Sequence, residues 1–349
     1  MRLLGEVERL SCLNLIPVDQ ASIPRTLRVP PGGGGHVVDS GYTFKQSYDG
    51  GNNIYMGSVV TTSVSLFSGP NGSSHLFTAD DVIVGQTHTI NGTTISPPYN
   101  QPPLEGAFWG DFGMALKQGK QGDGAKDAPF IDSLLAQLKY GNDVTPGFRV
   151  HASPVSPWVQ FGLGPSDLAV LPTTFSLNAD SGSSPAGVPY FSEYVITGTL
   201  SVSDGTTEFV RDNTGVILDT GAFTTIHDDH GFPASLDAGN FVVPGAQFQL
   251  SAPSSSGQDA TVLEFIVGTT VDSDLLAIST DKRYINTGIL PFLSNDIVYN
   301  LQAQTVTLAP QAPEPVPEPL SIGGISIAAV MTRRLRRLRR RLLQPQCGR

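Results

Sequence analysis

Cysteine is almost missing: Cys12 and Cys347 stand near opposite ends of the 349-residue chain. That placement excludes a disulfide framework and a paired-cysteine zinc site, and leaves the redox compartment open. Basic residues are scarce too, with Lys and Arg together at 21 and all charged residues at 15%, which disfavours a helical bundle. No glycine-rich phosphate loop, dinucleotide fingerprint or Ser/His/Asp arrangement stands out, so those chemistries have no footing. The chain is rich instead in glycine (38) and proline (27), beside a hydrophobic content of 39%. Turn formers in that number, on a chain long enough for one large domain or two lobes, predict an all-β protein with little helix.

The net charge of −10 conceals an asymmetry. Arg333, Arg334, Arg336, Arg337, Arg339, Arg340, Arg341 and Arg349 leave residues 1–332 with 13 basic groups against 31 acidic ones, a net of −18. Nucleic-acid phosphates repel so acidic a body, which excludes nucleic acid as its partner and makes the arginines a tail with its own purpose. Just before them runs the uncharged stretch Leu320–Thr332. As a helix it would rise about 20 Å, against a hydrocarbon core of about 30 Å. Ahead of that lies Ala312-Pro-Glu-Pro-Val-Pro-Glu-Pro319, whose alternate prolines make a stiff, extended spacer.

Spacer, short apolar stretch and arginine cluster, in that order, resemble the PEP-CTERM sorting signal of Gram-negative bacteria, on Pro313-Glu314-Pro315 and Pro317-Glu318-Pro319. The resemblance implies a body in the cell envelope or outside the cell, held transiently at the inner membrane through residues 311–349, and an exosortase-like enzyme that cuts near the motif. The arginines would then sit on the cytoplasmic side. The alternative is a proline-rich linker and a basic helix for RNA or anionic lipid. The other end reads differently: Glu6 and Glu8 fall where a signal peptide needs a basic start and an apolar core. No signal peptide is expected in residues 1–36, an unassigned leader; either the sorting-signal reading is wrong, or the true start lies upstream or in another frame.

Between residues 37 and 310, runs such as Tyr194–Ser203 and Phe248–Ser251 alternate apolar and polar positions, the period of half-buried strands. One stretch, Pro129–Tyr140, reads as helix, with Phe130, Leu134, Leu135 and Leu138 on one face and Gly141 as its stop. The segment Gly215-Val-Ile-Leu-Asp-Thr-Gly-Ala-Phe-Thr-Thr-Ile226 carries the chemistry. Three apolar residues lead directly into Asp219, Thr220 and Gly221: a buried strand ends in a carboxylate on a tight loop. The strand fixes the carboxylate, Gly221 lets the loop turn without a Cβ clash, and the Thr220 hydroxyl can lock the loop against a partner.

This segment resembles the active-site motif of aspartic proteases, and other stretches follow in the order of the pepsin-like members. Phe44–Gly51 with Gly57–Val60 resembles the flap hairpin, with Tyr48 as the flap tyrosine. Gly106–Leu116 resembles the apolar-glycine strand that closes the first active-site loop, and the helix over 129–140 follows it. Tyr284–Asn300 and Thr305–Leu308 resemble the closing elements of the second lobe. The resemblance covers about residues 40–310. It implies a bilobal pepsin-like fold, an N-terminal lobe over 37–165 and a C-terminal lobe over 166–310, with a peptide or protein substrate in the interlobe cleft and no cofactor.

Peptide hydrolysis in this family uses two carboxylates that share one proton around a water. Asp219 is one; Thr220 and Gly221 support its loop. Three readings of the other stay open. Asp39, in Val37-Val-Asp-Ser-Gly41, has the right local pattern but lies only nine residues before Tyr48. Asp19 stands at a better distance but is followed by Gln-Ala. The third is that the first aspartate lies outside this chain. His227-Asp-Asp-His230 reads as a solvated turn and not as a metal site, Asn71-Gly and Asn91-Gly as turns, and Trp109 and Trp158 as core. Two functions follow: an aspartic endopeptidase homologue, or an exported, non-catalytic surface or matrix protein that uses the fold as a binding or structural module.

Overall fold

The computed structural model describes residues 2–4, 37–48, 53–68, 74–94, 117–120, 130–153, 157–184, 186–220, 222, 224–228, 230–268, 276–280 and 282–311. Contacts divide the chain into a unit Met1–Gln311 and a unit Ala312–Arg349. The Pro-Glu-Pro spacer, the apolar stretch and the arginine tail all lie outside the described residues, as do Asp19, Trp109 and the strand expected over 106–116.

The chain is all-β, as its composition predicts. A seven-stranded sheet runs in the order β17-β16-β13-β14-β19-β15-β18, with β13 Ile196–Ser203, β14 Glu208–Ile217, β15 Thr225–Asp228, β16 Gln247–Pro253, β17 Asp259–Ile266, β18 Ala277–Ser279 and β19 Arg283–Asn286. Its alternation is that of the sequence: Ile196, Leu200 and Val202 on β13 and Phe248, Leu250 and Ala252 on β16 are buried, with more exposed residues between them. A six-stranded sheet runs β1-β9-β8-β20-β21-β10, with β1 Arg2–Leu4, β8 Thr145–His151, β9 Trp158–Leu163, β10 Thr174–Ser176, β20 Asn295–Asn300 and β21 Thr305–Pro310. Strands from both sides of residue 165 therefore share this sheet. Phe148, Ile297, Tyr299, Val306 and Leu308 from it join Ile196, Leu250 and Ile285 from the larger sheet in one buried core.

A four-stranded sheet holds β2 Val38–Tyr48, β3 Asn53–Ser68, β4 Ser74–Ile90 and β5 Thr93–Thr94 in sequence order. Asn91 and Gly92, both at positive φ (51° and 77°), make the turn between its last two strands, the conformation Asn-Gly favours. Two small hairpins complete the set: β6 Lys117–Lys120 with β7 Phe130–Asp132, and β11 Ala179–Ser183 with β12 Pro189–Phe191.

Two sequence expectations change. The helix over 129–140 shrinks to α1, Leu134–Gln137, because Phe130–Asp132 is drawn into a strand and Leu138 is already extended (φ −67°, ψ 137°). Ser133 caps this turn by accepting a hydrogen bond from the Ala136 N–H. The Gln137 amide accepts from the Ile83 N–H at 2.7 Å and donates to the Ile83 carbonyl at 3.0 Å, filling a ladder position on β4 that no strand occupies. Tertiary partners thus outweigh helix propensity, which is worth only tenths of a kcal/mol per residue. The leader, unassigned by sequence, supplies β1: Arg2–Leu4 pair antiparallel with Gln160–Trp158 at the edge of β9. A second helix, α2 Leu290–Ser294, links β19 to β20.

Candidate active site

Asp219 sits where β14 runs out, and the strands around it explain its burial. β14 pairs in parallel with β19 (Val216 opposite Ile285, Ile217 opposite Asn286), and β19 pairs antiparallel with β15 (Ile226 opposite Ile285, Thr225 opposite Asn286). The loop from Leu218 to Thr224 therefore bridges two strands with a third lodged between them. Thr287, just past β19, fastens both limbs of the loop. Its N–H donates to the Ile217 carbonyl at 2.9 Å and its hydroxyl to the same oxygen at 3.2 Å. Its carbonyl accepts from the Thr224 hydroxyl at 2.7 Å.

In that frame Asp219 and Thr220 are each only 5% exposed. The Asn286 Nδ2 donates to Asp219 Oδ2 at 2.9 Å, and the Gly288 N–H donates to Asn286 Oδ1 at 2.9 Å. Tyr299 on β20 is buried in the same surroundings. Its ring stacks on Phe148 at 4.4 Å, and burial, then the charge of Asp219, push its phenol above the ordinary range. The Thr220 Oγ1 is buried with no hydrogen-bond partner. A buried hydroxyl without a partner costs about 1–3 kcal/mol, and this one lies next to the buried carboxylate of Asp219.

At the other end of these strands Arg211, on β14, is fully buried. Its guanidinium donates to the His227 carbonyl (2.7 Å), the Tyr284 carbonyl (3.1 Å) and the Thr214 hydroxyl (3.0 Å), and lies 3.7 Å from Asp228 Oδ2. One side chain from β14 thereby ties β15 and β19 together beneath the loop. Gly215 allows Tyr194 to lie against the same strand: a Cβ there would meet the tyrosine ring at 3.0 Å.

The other residues singled out from sequence fall elsewhere. Asp39 is exposed on β2 opposite Val60, where its Oδ1 accepts from the Gly41 N–H at 2.8 Å; the buried strand-end setting of Asp219 is not repeated there. Tyr48 ends β2 and pairs with Asn53 across the hairpin. Gly221 lies outside the described residues. His227 stacks on Tyr284, ring centroids 4.0 Å apart, while the His230 N–H donates to Asp228 Oδ1 at 2.9 Å. Among the described residues no group of three His, Cys, Asp or Glu side chains is placed to hold a metal ion. Sequence reading missed Asn286, Thr287, Tyr299 and Arg211. The one available signal was a pair of polar residues, Asn286-Thr287, interrupting an otherwise apolar strand-to-helix stretch.

A second polar cluster lies on the opposite face of the six-stranded sheet, where Arg149 and His151 alternate with the core residues Phe148 and Val150. Arg149 forks onto Asp296 and bonds Asp167 at 3.0 Å, and His151 Nδ1 lies 2.6 Å from Asp296 Oδ1. Trp158 stacks on His151 and lies under the Arg149 guanidinium at 5.5 Å. Asp167, whose side chain is 4% exposed, also accepts from Gln160 at 2.6 Å and from the Gly164 N–H at 3.0 Å. Burial acts to raise its pKa, but Gln160, Gly164 and Arg149 together outweigh burial and hold it below the ordinary 3.8. A lowered carboxylate stabilises the fold fully above its unfolded value, and that stabilisation is lost as pH falls through the folded one. The contribution of Asp167 is therefore expected to be fully present above pH 3.8 and to be lost below it. Acid unfolding followed by tryptophan fluorescence checks this: Asp167→Asn should flatten the acid limb of stability, and an unchanged limb would contradict it.

Among the described residues no helix is long and apolar enough to cross a membrane. No family model matches the sequence, and no curated protein does. Among solved structures, the chain is similar to the aspartic proteinase from Irpex lacteus, with 16% identity over 79% of this chain and 83% of that one and a TM-score of 0.47.

Proposed function

We propose that this chain is an aspartic-type endopeptidase homologue, with Asp219 as one of two carboxylates that activate a water against a peptide bond, Thr220 and Gly221 as its loop support and Tyr48 as the flap residue. The observation that carries the reading is the setting of Asp219: a carboxylate buried at a strand end, on a loop that spans an inserted third strand, beside a buried hydroxyl with no partner. A carboxylate held so rigidly suits a proton-transfer role, and the Thr220 hydroxyl suits contact with an opposing loop that brings the second carboxylate. The substrate is a peptide or protein. The C-terminal segment, on its Pro-Glu-Pro motifs, is proposed as a sorting signal that holds the exported body at the membrane until an exosortase-like enzyme releases it.

The second reading, an exported binding or structural module without catalysis, is favoured by one observation: Asp39 is exposed. Two measurements on the purified full chain separate the readings, cleavage of an acid-denatured protein and binding of a statine-type inhibitor. Cleavage with statine binding supports the endopeptidase; neither of them leaves the module.

A further inference from the structure

We propose that Asn286 is the positioning residue of the Asp219 carboxylate, an inference that rests on reading Asp219 as the reacting group. The Asp219 loop continues into Ala222, whose methyl offers no donor, and Asn286 on the neighbouring strand supplies one. Its orientation is set from both ends. The Gly288 N–H donates to Oδ1, so Nδ2 is the group turned to Asp219 Oδ2. With the amide flipped, a carbonyl oxygen would face the carboxylate and an amide nitrogen would face an N–H, two repulsive contacts in place of two hydrogen bonds. The backbone beneath is equally constrained, because Asn286 pairs with Ile217 on one side and Thr225 on the other, the residues at the two roots of the Asp219 loop. The donor is thus held at the centre of the loop it serves. A donor fixed in this way restricts the rotation of the carboxylate about its Cβ–Cγ bond, which favours a proton acceptor that must meet a water within about 0.5 Å.

The test reads the carboxylate itself, in the full-length chain labelled with 13C at aspartate Cγ. The Asp219 resonance is the one lost in Asp219→Asn. Tyr299 on β20 is the titratable neighbour that senses Asp219 and stays neutral throughout acid; Asn286, Thr224 and Thr287 on the flanking strands do not titrate. Asn286→Ala removes a hydrogen bond to the charged form, so the Asp219 midpoint is expected to rise by about one pH unit. Asn286→Asp, close in shape, places a second carboxylate at hydrogen-bond distance, and the two are expected to titrate as a coupled pair with separated midpoints; this variant also serves where the alanine variant does not fold. Where cleavage is measurable, Asn286→Ala is expected to lower kcat by about 10²-fold with KM nearly unchanged. An Asp219 midpoint identical in all three chains overturns the proposal, with or without proteolysis. Inertness of the unaltered chain, with the midpoint still shifting on substitution, would overturn the endopeptidase reading and leave the positioning role standing.

Discussion

Asp219→Asn is expected to abolish acid proteolysis, lowering kcat/KM by at least about 10³-fold, since removing a positioned proton-transfer group typically costs 10²–10⁴-fold. The substitution is close to isosteric, and an amide oxygen at the Oδ2 position still accepts from Asn286 Nδ2, now at 2.9 Å from Asp219. The loop bonds from Thr287 to Ile217 and from Thr224 to Thr287 involve no atom of Asp219. These bonds should survive the substitution while the proton acceptor disappears. The measurement is digestion of an acid-denatured protein between pH 3 and 5, with thermal melting of both chains as the folding control. Statine-type inhibitors should bind the unaltered chain and lose affinity for the variant. Equal digestion by both chains would sink the endopeptidase reading.

Arg211→Leu is expected to cost about 3–5 kcal/mol of stability, the scale for removing one partner of a buried ion pair. Arg211 and Asp228 are each about 3% exposed at the side chain. The guanidinium also serves two strand carbonyls and the Thr214 hydroxyl, so its loss leaves several buried acceptors short of donors at once. At roughly 1–2 °C per kcal/mol for a chain of this length, the melting temperature should fall by about 5 °C. Replacing both partners, Arg211→Leu with Asp228→Leu, should recover only the part of the loss due to the uncompensated carboxylate, since the His227 and Tyr284 carbonyls stay short of a donor and the His230 N–H loses its acceptor. Denaturant unfolding of the three chains decides it. A single-variant loss under about 1 kcal/mol would mean that the tie between β14, β15 and β19 is energetically slack.

The two residues differ in how far the sequence reveals them. Asp219 is legible because its signal is local: Val216, Ile217 and Leu218 must be buried, and a carboxylate followed by Thr-Gly directly after them has nowhere to sit but on a loop at a strand end. Arg211 gives no such signal. In Phe209-Val-Arg-Asp212 it resembles any polar residue of a half-exposed hairpin, and its burial follows from pairings 16 and 73 positions away in the chain. Asn286 is hidden for the same reason, since its distance of 67 residues from Asp219 closes only when β19 enters between β14 and β15. The short α1 makes the converse point. Local periodicity there favoured helix over 129–140, and strand pairing at 130–132 and the Gln137 contact with Ile83 outweighed it.

Composition and period-two patterning thus determined the all-β class, and the local order of apolar residues, Asp219, Thr220 and Gly221 determined which carboxylate to look at; both are written in neighbouring residues, whose burial and turn preferences act over a few positions. Which groups surround that carboxylate was decided by tertiary structure alone. The parallel pairing of β14 with β19 brings Asn286 to Asp219, sets Tyr299 of another sheet in the same surroundings, buries Arg211 below them and leaves the Thr220 hydroxyl without a partner. Those contacts join residues far apart in sequence, and no local preference of the chain encodes them.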